Sequence, residues 1–384
     1  MKIQRCLHRS LWMTIFNKII DARITDLLFE GVKNKVFPGA VVLIAVQGKI
    51  IFFKAAGVLS IDPPQKDTKK DSIFDLASLT KPLATTIAIM GLVDRGVICL
   101  DDQLNKIISG PLPGDKQTIT PRLLLCHSSG LPDWKPYYLE LIKHPVEKRK
   151  DILRQCILNE CLEYPPGLGS QYSDLGFMLL EWIVEESSGS RMDNLLRENF
   201  YNPLGLKRTF LMKNKSPCNL SEIAATEDCP WRKKVLCGEV HDENAYALGG
   251  YSGHAGLFGC AEDIFLILNM LREHFYSKKE DFFKAETVKR FFTRQNIFKG
   301  SSWALGWDTP SSEGSSSGSY FSSKSVGHLG FTGSSVWMDP EQDIIVIFLT
   351  NRVHKTRENR KIKFFRPVLH DLILESIINN QGLS

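Results

Sequence analysis

The strongest constraint on the fold is that the two ends of the chain mirror each other. Near the start, Ala40 to Val46 and Ile50 to Ala55 are strand-like runs joined at Gln47-Gly48-Lys49, which reads as a hairpin. Near the end, Ser334 to Met338 and Ile344 to Leu349 are strand-like and separated by the turn signal Asp339-Pro340-Glu341-Gln342-Asp343. Each pair has a helical pattern on its terminal side. Ile15, Phe16, Ile19, Ile20, Ile24, Leu27, Leu28 and Val32 recur at helical spacing before Phe37-Pro38-Gly39, and Val368, Leu369, Leu372, Ile373, Ile377 and Ile378 do the same after the second pair. Helices flanking hairpins at both ends imply one antiparallel sheet built from the two chain ends, with the helices packed on it.

The middle, from about Leu83 to Leu271, is mostly helical in pattern with Gly/Pro punctuation, and predicts a second, largely α-helical lobe. The expected class is therefore α+β, in a single domain over 14–384. The α/β lobe takes about 14–80 and 290–384, and the helical lobe about 81–290. Pro310 to Ser325 is rich in Ser and Gly and reads as a surface loop.

Composition narrows the function by exclusion. A net charge of +5 over 384 residues, with no basic face interleaved with aromatics, gives no reason to expect nucleic acid. No 18-residue apolar run is present, so no membrane span is expected. Nine irregularly spaced cysteines without a Cys-x-x-Cys pair argue against a disulfide framework and for a reducing compartment. The basic start and the run Leu11 to Phe16 are too short for a secretory signal and lack a small-residue cleavage site. A cytoplasmic location is expected, with the periplasm as the alternative.

Three short segments can carry chemistry. In Ser78-Leu79-Thr80-Lys81, the serine and lysine lie one helical turn apart on one face, so the amine can reach the hydroxyl. Leu83, Ile87 and Met90 continue the helix, and Pro82 is tolerated only in its first turn, which sets Ser78 at a helix start with free backbone N–H groups. Taken alone this pattern is weak in a chain with so much Ser and Lys. Tyr172-Ser173-Asp174 follows Pro165-Pro166-Gly167 and precedes the apolar helix Leu175 to Val184, so Tyr172 can present its phenol from a loop-to-helix junction. His328-Leu329-Gly330-Phe331-Thr332-Gly333 leads into a strand, and Gly330 lets another backbone or a ligand approach its edge closely.

Together, in this order, the three segments resemble the class C β-lactamase and penicillin-binding-protein superfamily, whose marks are Ser-x-x-Lys, Tyr-x-Asn and Lys/His-x-Gly. Ile119 to Pro132 resembles that family's loop after the nucleophile helix, and Gly249 to Phe258 resembles the turn into a later helix on the cleft wall. The resemblance runs over about residues 14 to 380 and implies a β-lactamase/transpeptidase-like fold. It implies a serine hydrolase with an acyl-enzyme on Ser78, proton management by Lys81 and Tyr172, and oxyanion donors at Ser78 and Phe331. Asp174, His328, Gly330, Phe331, Trp134 and His254 are then expected to contact substrate. His328 would orient the Tyr172 phenol or meet a substrate carboxylate, and Trp134 and the His254 turn would form the cleft walls.

Two departures from the family pattern bear on substrate. Asp174 stands where the family usually has Asn, and His328 where it often has Lys. Asp174 is expected to repel a substrate carboxylate, and His328 to attract one only when charged, so weak β-lactamase activity is expected. Gly238 to Tyr246 resembles a branch linked to cell-wall fragments, which points to a muramyl-peptide amidase or D-alanyl peptidase acting on a small-molecule or peptide substrate. The alternatives are a carboxylesterase and a non-hydrolytic penicillin-binding or scaffold protein. No cofactor is expected. His241, Asp242, Glu243 and His254 match no zinc spacing, so no metal is expected either, and that loop is read as shaping the substrate pocket. The basic residues Lys355, Arg357, Arg360, Lys361, Lys363 and Arg366 read as a solvated loop.

Overall fold

In the computed structural model, which describes residues 21–213 and 216–381, the two chain ends meet in one five-stranded antiparallel sheet. Its strands are β1 (Gly39–Val46), β2 (Lys49–Gly57), β3 (Val326–Leu329), β4 (Ser335–Asp339) and β5 (Ile344–Thr350), in the spatial order β2-β1-β5-β4-β3. The central pairing joins the chain ends: β1 runs against β5 with Ala40 opposite Thr350 and Val46 opposite Ile344. The Gly39 N–H extends that seam by donating to the Asn351 side chain, 312 positions away. Both expected hairpins form, the first through Gln47 and Gly48 in the left-handed region.

The inner strands β1, β4 and β5 are buried on both faces, which is why they read as nearly continuous apolar runs. Val41, Leu43, Ala45, Ile345, Ile347 and Leu349 belong to one core, and Ala40, Val42, Ile44, Ile344, Val346 and Phe348 to the other. Against the second face pack α1 (residues 21–33) and a long C-terminal helix. Against the first lies the helical lobe, in which α2 (Thr86–Asp94) and α3 (Asp174–Ser188) form the centre and α4 (Ala261–Phe275) rests directly on β1 and β5. The C-terminal helix is α5 (Ile362–Gln381). The part of the N-terminal helix expected at Ile15, Phe16, Ile19 and Ile20 lies outside the described residues.

The first core runs without a break from the sheet into α2 and α3, through Leu79, Leu83, Ile87, Phe177 and Leu180. Each such side chain contributes about 1.5–3 kcal/mol by leaving water, so the two lobes are tied by a shared interior. The segment 310–325 is irregular, as its composition implied, but it is tied down: His370 of α5 bonds the Ser316 carbonyl, and the Ser319 N–H donates to Asp371. Eight cysteines among the described residues are free.

Candidate active site

The helical segment carrying Ser78 begins tightly and then widens. Ala77–Leu79 is a 3₁₀ turn, Lys81–Thr85 a π turn, and α2 continues from Thr86. Pro82 sits in the first turn, where its missing N–H costs nothing. Ala77 holds a φ of 47°, a left-handed conformation that costs a non-glycine residue about 1–3 kcal/mol. Two hydrogen bonds of Asp75 offset it: its carboxylate accepts the Ala77 N–H at 2.9 Å and the His241 N–H at 2.7 Å. The turn that lifts Ser78 is thus pinned from below.

Lys81 is fully buried, and its ammonium has three partners. It lies 3.1 Å from Ser78 Oγ, 2.7 Å from Asp174 Oδ1 and 3.2 Å from the His254 carbonyl oxygen. The ring of Tyr172 lies beneath it, centroid 4.8 Å away. Burial pushes the Lys81 amine down, but Asp174 and Tyr172 together outweigh it and the net shift is upward. Burial raises the Tyr172 phenol in turn, opposed by Lys81 and by its hydrogen bonds to Lys81 and Ser78.

Tyr172 stands two residues ahead of α3, whose first turn is capped by Ser173 accepting the Gly176 N–H. His127 holds it there. The His127 Nδ1 accepts the Ser173 N–H at 3.0 Å, its carbonyl accepts the Gln171 N–H, and its ring lies against Tyr172 at 4.6 Å. Trp303 packs on the same cluster, 4.3 Å from His127 and 5.8 Å from His328. Neither His127 nor Trp303 stands out in the sequence. His127 lies inside the Ile119 to Pro132 segment, but nothing local says that its ring faces Tyr172.

His328 lies at the end of the edge strand β3, and the turn Gly330 to Gly333 follows, closed by the Gly333 N–H donating to the Gly330 carbonyl. A Cβ at Gly330 would stand 2.7 Å from the Leu76 carbonyl oxygen, so only glycine lets this turn come up against the Ser78 segment. Thr332 Oγ1 donates to the Asp75 carbonyl at 2.8 Å and locks the approach. The Phe331 ring is exposed and stacks on His241 at 5.5 Å.

Four expectations are corrected. Asp174 does not stand as a free negative charge toward substrate, because Lys81 takes it up. His328 is buried, and burial together with the nearby Lys81 charge pushes its imidazole down to about 3, so it is neutral at ordinary pH and offers no cation to a carboxylate. The His254 side chain is no cleft wall: it is 1% exposed and turned inward, Nε2 2.9 Å from Asp242 Oδ1, and only its carbonyl meets Lys81. Atoms of Asp174, Asp242 and His254 lie within 4.8 Å of one another, so Lys81, Asp174, His254 and Asp242 form a cluster of ionisable groups behind Ser78. Burial pushes the His254 imidazole down, but Asp242 and Asp174 together outweigh it and the net shift is upward.

The fourth correction concerns the basic segment after β5. Arg366 is buried at the start of α5, and its Nε and Nη2 donate to the carbonyls of Gly333 at 2.9 Å and Gly330 at 3.2 Å. Arg352 donates from Nε and Nη2 to the Phe331 carbonyl, at 2.9 and 2.6 Å. Arg357 pairs with Glu227 and Glu243. Arg366 and Arg352 brace the turn beside Ser78 and Arg357 is held in ion pairs, whereas Arg360, Lys361 and Lys363 are exposed as a solvated loop implies.

Trp134 is 39% exposed beside Asp133, whose carbonyl accepts the N–H of Asp174, so it stands at the mouth of the site. On the other side, beyond Phe331 and His241, a cavity of about 340 Å³ is lined by Glu227, Trp231, Glu243 and Arg357. In chemical terms the site offers a hydroxyl in contact with an amine, a phenol beside both, and a braced turn that carries a backbone N–H. Those are the components of acyl transfer through a serine.

The family model described as Beta-lactamase matches residues 24–366. A protein of Escherichia coli O157:H7 named "Putative D-alanyl-D-alanine carboxypeptidase" is 34% identical over 351 residues, covering 83% of this chain and 79% of its own. An N-acetylmuramyl-L-alanine amidase of Bacillus subtilis (strain 168) is 31% identical over 360 residues, covering 86% and 81%. The octameric penicillin-binding protein homologue from Pyrococcus abyssi superposes with a TM-score of 0.72 over 92% of this chain and 77% of that one, at 21% identity.

Proposed function

The chain belongs to the Beta-lactamase family and is a serine hydrolase, and on that premise we propose that Ser78 is its nucleophile and a small cell-wall peptide its substrate. The observation that carries the first half is the contact of Lys81 Nζ with Ser78 Oγ at 3.1 Å, with the Tyr172 ring 4.8 Å from the same amine. Once Lys81 has given up its own proton, Ser78 Oγ attacks the carbonyl carbon of the scissile amide while its proton passes into the Lys81/Tyr172 pair, a transfer worth about 10²–10⁴-fold. The carbonyl oxygen, as it becomes an oxyanion, is held by the N–H groups of Ser78 and Phe331, which together lower the barrier by about 3–4 kcal/mol or more. Tyr172 returns the proton to the leaving amine. Water then enters, loses a proton to the same pair, and releases the acid and the Ser78 hydroxyl.

The second half rests on the two curated relatives, both named for cell-wall peptide bonds. The surroundings support it. With Asp174 neutralised by Lys81 and His328 uncharged, the reacting centre is close to neutral, while the neighbouring cavity presents Trp231, the three carboxylates of Glu227, Glu243 and Glu358, and Arg357. That lining suits a peptide with charged groups away from the scissile bond.

The test is direct. Ser78→Ala is expected to abolish labelling by a fluorophosphonate probe and release of product from a muramyl peptide, with an unchanged circular dichroism spectrum. Undiminished labelling of the folded variant would exclude Ser78 as the nucleophile.

A further inference from the structure

Arg366 presents an arrangement that stability alone does not call for. It is 6% exposed, and among the described residues no carboxylate pairs with it. The nearest charge acting on it is another cation, Arg352. A buried, uncompensated guanidinium is costly, and an apolar side chain of similar volume is often as stable or more so in such a place. What Arg366 touches is two carbonyl oxygens of one turn, Gly333 and Gly330.

The Gly330 carbonyl belongs to the same peptide unit as the Phe331 N–H. The bond is trans, since the cis peptides among the described residues are Pro63-Pro64 and His354-Lys355. In a planar trans unit the N–H points opposite to the C=O. Arg366 approaches the carbonyl from α5, so the Phe331 N–H points away from α5, toward the face where Gly330 abuts Leu76 and the Ser78 turn. Among the described residues that N–H donates to no protein acceptor. A cation on the carbonyl oxygen draws electron density through the amide and makes its N–H a stronger donor, since hydrogen bonds in a chain polarise one another in a low-dielectric interior.

We propose that Arg366 is a positioning residue of the reaction, a buried cation that fixes and polarises the Gly330–Phe331 peptide so that the Phe331 N–H holds the oxyanion formed at Ser78. Arg352 assists from the next peptide, fixing the Phe331 carbonyl. The assignment rests on the reading of Ser78 as nucleophile and Phe331 as oxyanion donor. It adds a residue from α5, on the far side of the sheet from the helical lobe, to the determinants of rate.

The experiment uses the full chain with Arg366→Met and Arg366→Lys, p-nitrophenyl acetate as substrate and phenylboronic acid as a tetrahedral mimic. Arg366→Met is expected to lower kcat about tenfold or more with little change in KM, a fraction of what losing a whole oxyanion donor costs. It is expected to weaken boronic acid binding by a similar factor. Arg366→Lys, which keeps the charge but not the fork, should recover part of both. A fall in melting temperature with kcat and boronate affinity unchanged would assign Arg366 a merely structural role and overturn the proposal. Should Arg366→Met fail to fold, wild-type rates and boronate affinity in Arg366→Lys together with Arg366→Gln would overturn it equally. If the wild-type enzyme is not labelled at Ser78, the functional reading falls first and this assignment with it, and that result is separable because it appears before any variant is made.

Discussion

Asp174 shows how one side chain resets a site. Where the family has an amide, this chain has a carboxylate 2.7 Å from the buried Lys81 amine, and its charge, with Tyr172, offsets the pull of burial on the Lys81 proton. Asp174→Asn removes that charge and restores the usual amide. Burial then dominates, the Lys81 affinity for its proton falls, and the rising acid limb of kcat/KM should move to lower pH. A limb that stays in place would show that Lys81 is not the group titrating. Ser78, Lys81, Tyr172 and Asp174 were readable in the sequence because each motif spans three or four residues and a helix turn fixes the geometry within it. His127, Trp303, Arg352 and Arg366 were not. They come from four separate segments, and only the packed fold brings them to the turns they hold.

At the scale of elements, the site is a joint between the start of one helix and the end of one edge strand. Gly330 makes the joint possible, since any Cβ there would stand 2.7 Å from the Leu76 carbonyl oxygen. Gly330→Ala is expected to push the turn outward and reduce kcat about 10²-fold, the scale of losing one oxyanion donor. Far-UV circular dichroism should be unchanged. Near-wild-type turnover would mean that the turn is not an oxyanion element. The hairpins at both chain ends were legible because their strands are long, apolar and separated by clear turn residues. The edge strand β3 was less so. Val326–Leu329 has four residues with a glycine among them, and its strand character comes from pairing with β4, which no local pattern announces. The helix α4 was assigned to the helical lobe by its position in the chain, yet it rests on β1 and β5. Its amphipathic spacing says that one face is buried but not against what.

At the scale of the whole molecule, buried neutral imidazoles make the protein acid-sensitive. Burial pushes His328 and His370 down to about 3 and His127 well below its ordinary value. The unfolded chain titrates near about 6.5 and binds protons first as pH falls. Stability should therefore drop from about pH 6.5 downward, by about 2 kcal/mol each for His328 and His370 at pH 5, with His127 acting in the same direction. His254 runs the other way: its raised affinity adds stability that is present at low pH and lost as pH rises through its folded value. The net expectation is a lower urea midpoint at pH 5 than at pH 7.5, and equal midpoints would mean that these rings are hydrated. The joined chain ends have a further consequence, which concerns how the protein is made. Ser78 leaves the ribosome early, whereas the turn it needs at Gly330 and the brace at Arg366 follow more than two hundred residues later. At translation rates of about 5–20 residues per second, that is a delay of roughly 10–60 s. Throughout it β1 has no β5 to pair with and Ser78 has no second donor beside it, so a growing chain is an inert serine protein until its last strand and helix arrive. A polypeptide cut short before Gly330 is expected to lack the second donor and the β1–β5 seam together, and its hydrolysis with them.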